Sequence, residues 1–95
     1  MPEMIFRVRW PDGTESDCYS PSLVVQEYFT PGQDYPAPEF LEKAETALTE
    51  ASDRVQARYG FACSRALGQL QTIKRVCAPF LHRPDALVRV LSFKS

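Results

Sequence analysis

Apolar and polar residues alternate along the first ten positions of the chain. The apolar residues that occupy every second position are Met4, Phe6, Val8 and Trp10. A period of two is typical of a β-strand with one buried face. The turn chemistry of Pro11, Asp12 and Gly13 follows directly: proline presets the first turn position and glycine accepts a positive φ. The pattern predicts a hairpin with a three-residue loop.

This loop length sets the register of the returning strand. On one face of the predicted hairpin, the pairs are Arg9 with Glu15 and Arg7 with Asp17. On the other face, the pairs are Phe6 with Cys18 and Val8 with Ser16. Opposite charges facing each other across two strands contribute only about 0.2 to 1 kcal/mol per pair, but they agree with the apolar alternation.

A short helix is predicted next, over residues 21–29. Ser20 is predicted to be the N-cap of this helix, and Pro21 is predicted to be its first residue. The turn at 30–32 ends the helix, and the proline-containing segment 33–38 is predicted to be a rigid surface connection. Aromatic residues flank this connection and either cap the core or form an exposed surface for a partner: Tyr28, Phe29, Tyr35 and Phe40.

Two longer amphipathic patterns follow. From Pro38, the apolar residues are spaced by three and four positions: Phe40, Leu41, Ala44, Leu48, Ala51, Val55 and Tyr59. This spacing predicts a helix that ends at Gly60. A second stripe runs from Ala62 to Cys77 and stops before Pro79, so we expect an antiparallel pair of helices.

The last pattern, residues 86–93, is short and rich in β-branched residues, which favours a strand beside the first hairpin. The predicted fold class is therefore α+β: a small antiparallel sheet, made of the N-terminal hairpin and the C-terminal strand, packs against a short helix and a two-helix hairpin. With 95 residues, the chain is expected to form one domain over residues 1–95.

Charge is divided unevenly along the chain. Residues 1–53 hold 11 of the 12 acidic residues, while residues 54–95 hold 8 of the 11 basic ones. In an antiparallel helix pair, the acidic start of the first helix (Glu39, Glu42, Glu45) lies near the basic end of the second (Lys74, Arg75), which suits both helix dipoles. The opposite end, with Arg54, Arg58 and Arg65 and only Asp53 as a nearby acid, is expected to be positive.

Composition excludes several classes of function. The formal net charge is only -1, which gives no bulk attraction to nucleic acid or to an anionic membrane, and no apolar run approaches the length of a membrane span. The start of the chain lacks the order of a signal peptide, so a cytoplasmic location is expected. Three cysteines without a Cys-x-x-Cys spacing suit reduced thiols, and one histidine offers no recognisable metal or cofactor site.

Candidate chemistry is concentrated in the segment 59–66, where the two long helices meet. Cys63 is expected in the first turn of the second helix, near three arginines that favour a thiolate. Helical spacing from Cys77 favours a packed core thiol instead, and no histidine is signalled as a partner for Cys63. The tentative alternative is an anion site made of Arg54, Arg58, Cys63, Ser64 and Arg65, which would bind phosphate or carboxylate.

Several motifs, in order, resemble a known family over about residues 1–70. They comprise the start Met1-Pro2-Glu3-Met4 with Phe6, the run 8–13 (Val-Arg-Trp-Pro-Asp-Gly), the run 18–24 (Cys-Tyr-Ser-Pro-Ser-Leu-Val), the run 51–55 (Ala-Ser-Asp-Arg-Val) and the run 59–67 (Tyr-Gly-Phe-Ala-Cys-Ser-Arg-Ala-Leu). The chain thereby resembles a small family of bacterial nitrogen-starvation-response proteins. The resemblance implies a gene cluster with a nitrilase, a radical-SAM protein, a flavin-dependent oxidoreductase and an acetyltransferase-like protein, and it supplies no catalytic residue.

Two hypotheses about function remain. The first is a non-catalytic accessory protein that interacts with the products of that gene cluster, without nucleic acid or membrane, and with a homodimer as an open possibility. The second is a small-molecule anion binder or a minor enzyme that uses Cys63 and the arginines around it.

Overall fold

The computed structural model describes residues 3–61, 63–83 and 85–94 of the chain. Four strands form one antiparallel sheet, β1 (Met4–Arg9), β2 (Glu15–Ser20), β3 (Asp34–Pro36) and β4 (Leu87–Lys94), in the order β2-β1-β4-β3. Two long helices, α1 (Ala37–Tyr59) and α2 (Ser64–Cys77), pack on it. Two short 3-10 helices, Leu23–Glu27 and Ala78–Phe80, complete the described structure. The predicted α+β class is confirmed.

The N-terminal hairpin has the predicted register. Arg9 lies opposite Glu15 and Phe6 lies opposite Cys18, with the other pairs as expected. The loop closes where the Trp10 N–H donates to the Thr14 carbonyl at 2.8 Å, and Gly13 adopts a φ of 89°. This left-handed conformation is inexpensive only for glycine, so the loop sequence itself selects the register.

The short helix differs from its prediction in type and in start. It is a 3-10 helix over Leu23–Glu27, and its N-cap is Ser22, whose side chain accepts a hydrogen bond from the Val24 N–H at 3.3 Å. Ser20 belongs instead to the end of β2, where its hydroxyl donates to the Ser22 carbonyl at 2.7 Å and accepts from the Ser22 N–H at 3.3 Å. Both serines could cap the helix. Because the Ser20 hydroxyl is used in the local turn with Ser22, the Ser22 side chain caps the helix instead.

The segment 33–38 was expected to be a connection, but it contains strand β3. Tyr35 lies opposite Val88 of β4. In the neighbouring pair of the same two strands, the Arg89 guanidinium donates to the Asp34 carboxylate at 2.6 and 3.1 Å. A strand that ends at Pro36 is confined to the edge of a sheet, which is where β3 lies. The proline content that argued against a strand in fact specified an edge strand.

The helix hairpin and the last strand are confirmed. α1 ends where predicted, since Gly60 adopts a left-handed φ of 85° and its N–H donates to the Gln56 carbonyl at 2.8 Å. Ala62, the first residue of the second predicted stripe, lies outside the described residues. The Lys74 ammonium lies 3.7 Å from the Glu45 carboxylate, as the charge split predicted for this end of the hairpin.

The core lies between the sheet and the helices and contains most of the aromatic residues. The Phe40 ring stacks on Phe29 with centroids 5.1 Å apart, and Trp10 meets Phe40 edge to face at 5.7 Å. Phe29, Tyr35 and Phe40 are buried and Tyr28 is half-buried. The aromatic residues around the proline-containing segment therefore cap the core.

The sheet supports only part of α1. All seven of its buried residues lie between Ala37 and Ser52. From Asp53 to Gly60 every residue is exposed except Val55, which is half-buried. The last turns of α1 therefore lie outside the core, and they carry the candidate residues Arg54 and Arg58.

Candidate functional site

The segment between the helices is fixed by one buried hydroxyl. Ser52, on the second half of α1, is only 4% exposed, and its hydroxyl accepts a hydrogen bond from the Cys63 backbone N–H at 3.3 Å. This backbone N–H precedes the first turn of α2 and is already paired, so it is not a free donor for an anion. Ser52 acts as a brace between the helices that was not predicted.

Cys63 precedes α2 as its N-cap and does not lie in the first turn. Its backbone is extended (φ -81°, ψ 102°), its side chain makes no capping hydrogen bond, and the residue is half-buried. Cys18 and Cys77, in contrast, lie in the core, where burial raises the pKa of their thiols to about 12 and about 11. Cys63 is therefore the most accessible of the three thiols.

Arg54 is neutralised by two carboxylates. Its guanidinium lies 3.3 Å from Glu50, one turn earlier on α1, and 3.8 Å from Glu27 at the end of the first 3-10 helix. The expectation that only Asp53 supplies a nearby acid was therefore wrong for Arg54. The spacing of Glu50 and Arg54 was a readable signal, while the position of Glu27 depends on how the 3-10 helix folds back onto α1.

Arg58 and Arg65 contact aromatic rings. The Arg65 guanidinium carbon lies 3.8 Å from the centre of the Tyr19 ring, and that of Arg58 lies 5.7 Å from the centre of the Tyr59 ring. Neither arginine has an ion pair with the part of the chain that the structure describes. A guanidinium that stacks through its face keeps the N–H donors at its edge available.

Tyr19 is the residue that joins α2 to the sheet, and sequence reasoning missed this role. Its backbone N–H, on the outer edge of β2, donates to the Gln69 side-chain oxygen at 3.0 Å, and its hydroxyl lies 3.4 Å from the Glu3 carboxylate. Burial raises the pKa of Tyr19, and the Glu3 carboxylate and the Cys63 thiol act in the same direction, whereas Arg65 opposes them. Tyr19 thus lies against Arg65, two positions after Cys63 in the chain.

The predicted site residues therefore fall into separate groups. Arg65 lies against the Tyr19 ring, and Cys63 is the N-cap of the same helix. Arg54 is held by acidic residues, and Arg58 lies against Tyr59. Ser64 is the exposed first residue of α2. The anion site stays a prediction, and its best-supported members are Arg65 and Arg58.

Exposed apolar side chains gather at the same end of the hairpin. Tyr59 is 51% exposed, Phe61 is 67% exposed and Leu67 is 44% exposed. The rings of Tyr59 and Phe61 are 6.5 Å apart and tilted against each other. We call this surface, made of Arg58, Tyr59, Phe61, Arg65 and Leu67, the hairpin end.

Other surface features lie elsewhere on the molecule. A groove of about 290 Å³ is lined by residues of the first half of α1 together with an aromatic residue: Glu39, Glu42, Lys43, Thr46 and Tyr28. Within residues 3–61, 63–83 and 85–94, no group of three or more His, Cys, Asp or Glu side chains could hold a metal ion. None of the helices described is long and apolar enough to cross a membrane.

The fold and this surface define a class: small α+β proteins in which a helix hairpin lies on one face of a four-stranded antiparallel sheet and presents an aromatic, basic end. Comparison with protein families then identifies the particular group. The chain belongs to the family described as nitrogen starvation-induced protein NitG, whose model matches residues 5–93. The match extends well past residue 70 and covers α2 and all but the last residue of β4.

The family assignment is the comparison that carries information about this chain. A search of curated proteins and a search of solved structures found no significant match.

Proposed function

We propose that this protein is a cytoplasmic, non-catalytic accessory protein of the nitrogen-starvation response, and that it acts by binding another protein. One observation supports the proposal most directly. The hairpin end exposes Tyr59 and Phe61, although the chain buries most of its other aromatic residues. Clustered exposed aromatic side chains are a common mark of a protein interface.

The proposed partners are the proteins that the resemblance described above leads us to expect in the same gene cluster: a nitrilase, a radical-SAM protein, a flavin-dependent oxidoreductase and an acetyltransferase-like protein. The test is co-purification. The tagged chain is expressed at its native level in nitrogen-starved cells, and the bound proteins are compared with those from nitrogen-replete cells. We expect at least one of these gene products in the starved sample, and recovery of the chain alone in both samples would overturn the proposal.

A second function is favoured by a different observation. Cys63 is half-buried beside Arg65, and the Arg65 guanidinium has no acidic partner among the residues described. This arrangement suits a small-molecule anion binder or a minor enzyme that uses Cys63, Ser64 and the arginines nearby.

Two measurements test this second function. If Cys63 is a reactive thiol, iodoacetamide alkylates it in the folded protein at neutral pH, and Cys63→Ser removes the reaction. Resistance of Cys63 to alkylation would exclude that version. For anion binding, phosphate and citrate should raise the Tm of the wild type and of Arg54→Ala but not of Arg65→Ala. An equal rise in all three proteins would indicate a general salt effect.

A further inference from the structure

The exposed apolar side chains are not spread evenly over the surface. Five large hydrophobic residues among those described are more than a third exposed, and three of them lie within the nine positions 59–67. Single exposed hydrophobic residues are ordinary on a protein surface, whereas a cluster on a projecting end is not. Phe61 is the most exposed of the five.

The charge around these residues has one sign. Between positions 54 and 65 the sequence contains three arginines and no acidic residue. Ion pairs to Glu50 and Glu27 occupy Arg54, so the unneutralised charge belongs to Arg58 and Arg65. The Arg65 guanidinium lies over the Tyr19 ring, and that of Arg58 lies within cation–π distance of the Tyr59 ring. An arginine in such a contact can still offer its N–H groups to a carboxylate.

We propose that the hairpin end binds an acidic segment of a partner protein, in which carboxylates pair with Arg58 and Arg65 and an apolar side chain packs against Phe61 and Tyr59. This inference rests on the proposed function and adds the location and the chemistry of the contact. Aromatic residues and arginines are the side chains that most often dominate the energy of protein interfaces. Complementary charge further raises the rate of association and excludes partners of the wrong sign.

A second copy of the chain is a poorer occupant of the same surface. Two hairpin ends facing each other across a twofold axis would bring four unpaired arginines together, and like charges in an interface are unfavourable.

Single-stranded nucleic acid also binds aromatic residues and arginines, but it needs a basic groove that follows several phosphates. Here Arg58 and Arg65 are the arginines of this surface without an ion pair among the described residues, and two cations are too few to follow a phosphate backbone.

The experiment uses two fluorescein-labelled synthetic peptides and fluorescence anisotropy. One peptide alternates glutamate with leucine, and the other has glutamine in place of every glutamate. We expect the wild-type protein to bind the acidic peptide at least about tenfold more tightly than the glutamine peptide, with affinity that falls as salt increases. Equal affinity for the two peptides, or no binding to either, would overturn the inference.

Matched variants locate the contact. Arg58→Ala and Phe61→Ala should each weaken binding of the acidic peptide about tenfold. Arg54→Ala removes an arginine of the same helix that is already neutralised, and it should change the affinity less than about twofold. Arg58→Ala is the decisive variant because Arg65 also covers Tyr19, so that Arg65→Ala alters packing as well. Equal effects of Arg54→Ala and Arg58→Ala would contradict the assignment.

Two further arms separate the alternatives. Tighter binding to a labelled oligothymidylate than to the acidic peptide would replace the inference with a nucleic-acid surface. Self-association in analytical ultracentrifugation that Phe61→Ala abolishes would replace it with a dimer contact. The gene products named above as partners can be tested in the same way. If they co-purify equally well with the wild type and with the Arg58→Ala and Phe61→Ala variants, the proposed function stands and this location for the contact is wrong.

Discussion

The two parts of α1 have the same amphipathic pattern but different surroundings. From Ala37 to Ser52 the apolar face of the helix lies against the sheet and is buried. From Asp53 to Tyr59 the stripe continues through Val55 and Tyr59, yet no residue of this part is fully buried. A helical period therefore predicts which face is apolar, but it does not reveal how far the surface beneath that face extends. The uncovered part is the region that offers a contact to another molecule.

The largest expected difference between the two parts is in stability. Phe40→Ala removes a completely buried ring that packs on Trp10 and Phe29, and it should lower the free energy of unfolding by about 3 to 5 kcal/mol. Phe61→Ala removes a ring that is 67% exposed, and it should change the same quantity by less than about 0.5 kcal/mol. Urea denaturation measures both. A loss of more than about 2 kcal/mol for Phe61→Ala would mean that the hairpin end belongs to the core.

A second difference concerns the thiols at alkaline pH. The folded state raises the pKa of Cys18 to about 12 and of Cys77 to about 11, so the unfolded chain loses these protons first. Their contribution to stability is fully present below the ordinary thiol pKa of about 8.5 and is lost as the pH rises towards the folded values.

The predicted fall of stability with rising pH can be checked by urea denaturation at several pH values between about 8 and about 10.5. The free energy of unfolding should fall with pH less steeply in Cys18→Ala than in the wild type. Cys63→Ser, which removes the thiol at the hairpin end, is the comparison variant and should retain the steep decline. A slope in Cys18→Ala equal to that of the wild type would show that the buried thiol does not determine the alkaline loss.

The smallest expected effect compares two glycines in the helix hairpin. Gly60→Ala places a side chain at a φ of 85° and should lower the free energy of unfolding by about 1 kcal/mol. Gly68→Ala, inside α2 with no atom near the added carbon, should raise it by about 0.5 to 1 kcal/mol. Thermal and urea denaturation measure whether each substitution lowers or raises the free energy of unfolding. A neutral Gly60→Ala would indicate that the segment between the helices has no fixed conformation in solution.

Local patterns predicted much of the fold because each was sufficient on its own. The loop Pro11-Asp12-Gly13 determined the register of the first hairpin, and the helical stripe with Gly60 determined where α1 ends. The short helix was harder, since Ser20 and Ser22 are equally good caps and their choice depends on the turn after β2. Strand β3 was missed because three residues are too few to show a strand period, and they form a strand only through their pairing with β4.

The candidate site was predictable as a segment but not as an arrangement. The sequence placed Cys63 near Arg65 through local spacing, and in the structure Arg65 lies against the Tyr19 ring. It could not show that Glu27 reaches Arg54, because these residues are 27 positions apart and meet only when the 3-10 helix packs on α1. Gln69 and Ser52 gave no signal at all, since each acts by pairing a backbone N–H of a distant residue.

By itself, the sequence determined the N-terminal hairpin and its register, the two long helices, the last strand and the charge match at one end of the helix pair, because turn chemistry, periodicity and helix dipoles act between near neighbours. Only the tertiary structure decided which arginines are neutralised, which thiols are enclosed and where the sheet stops beneath α1. Those outcomes depend on contacts between residues far apart in the chain, and a repeating pattern contains no information about them. The distinction between Arg54 and Arg58, four residues apart on one helix, is of this second kind.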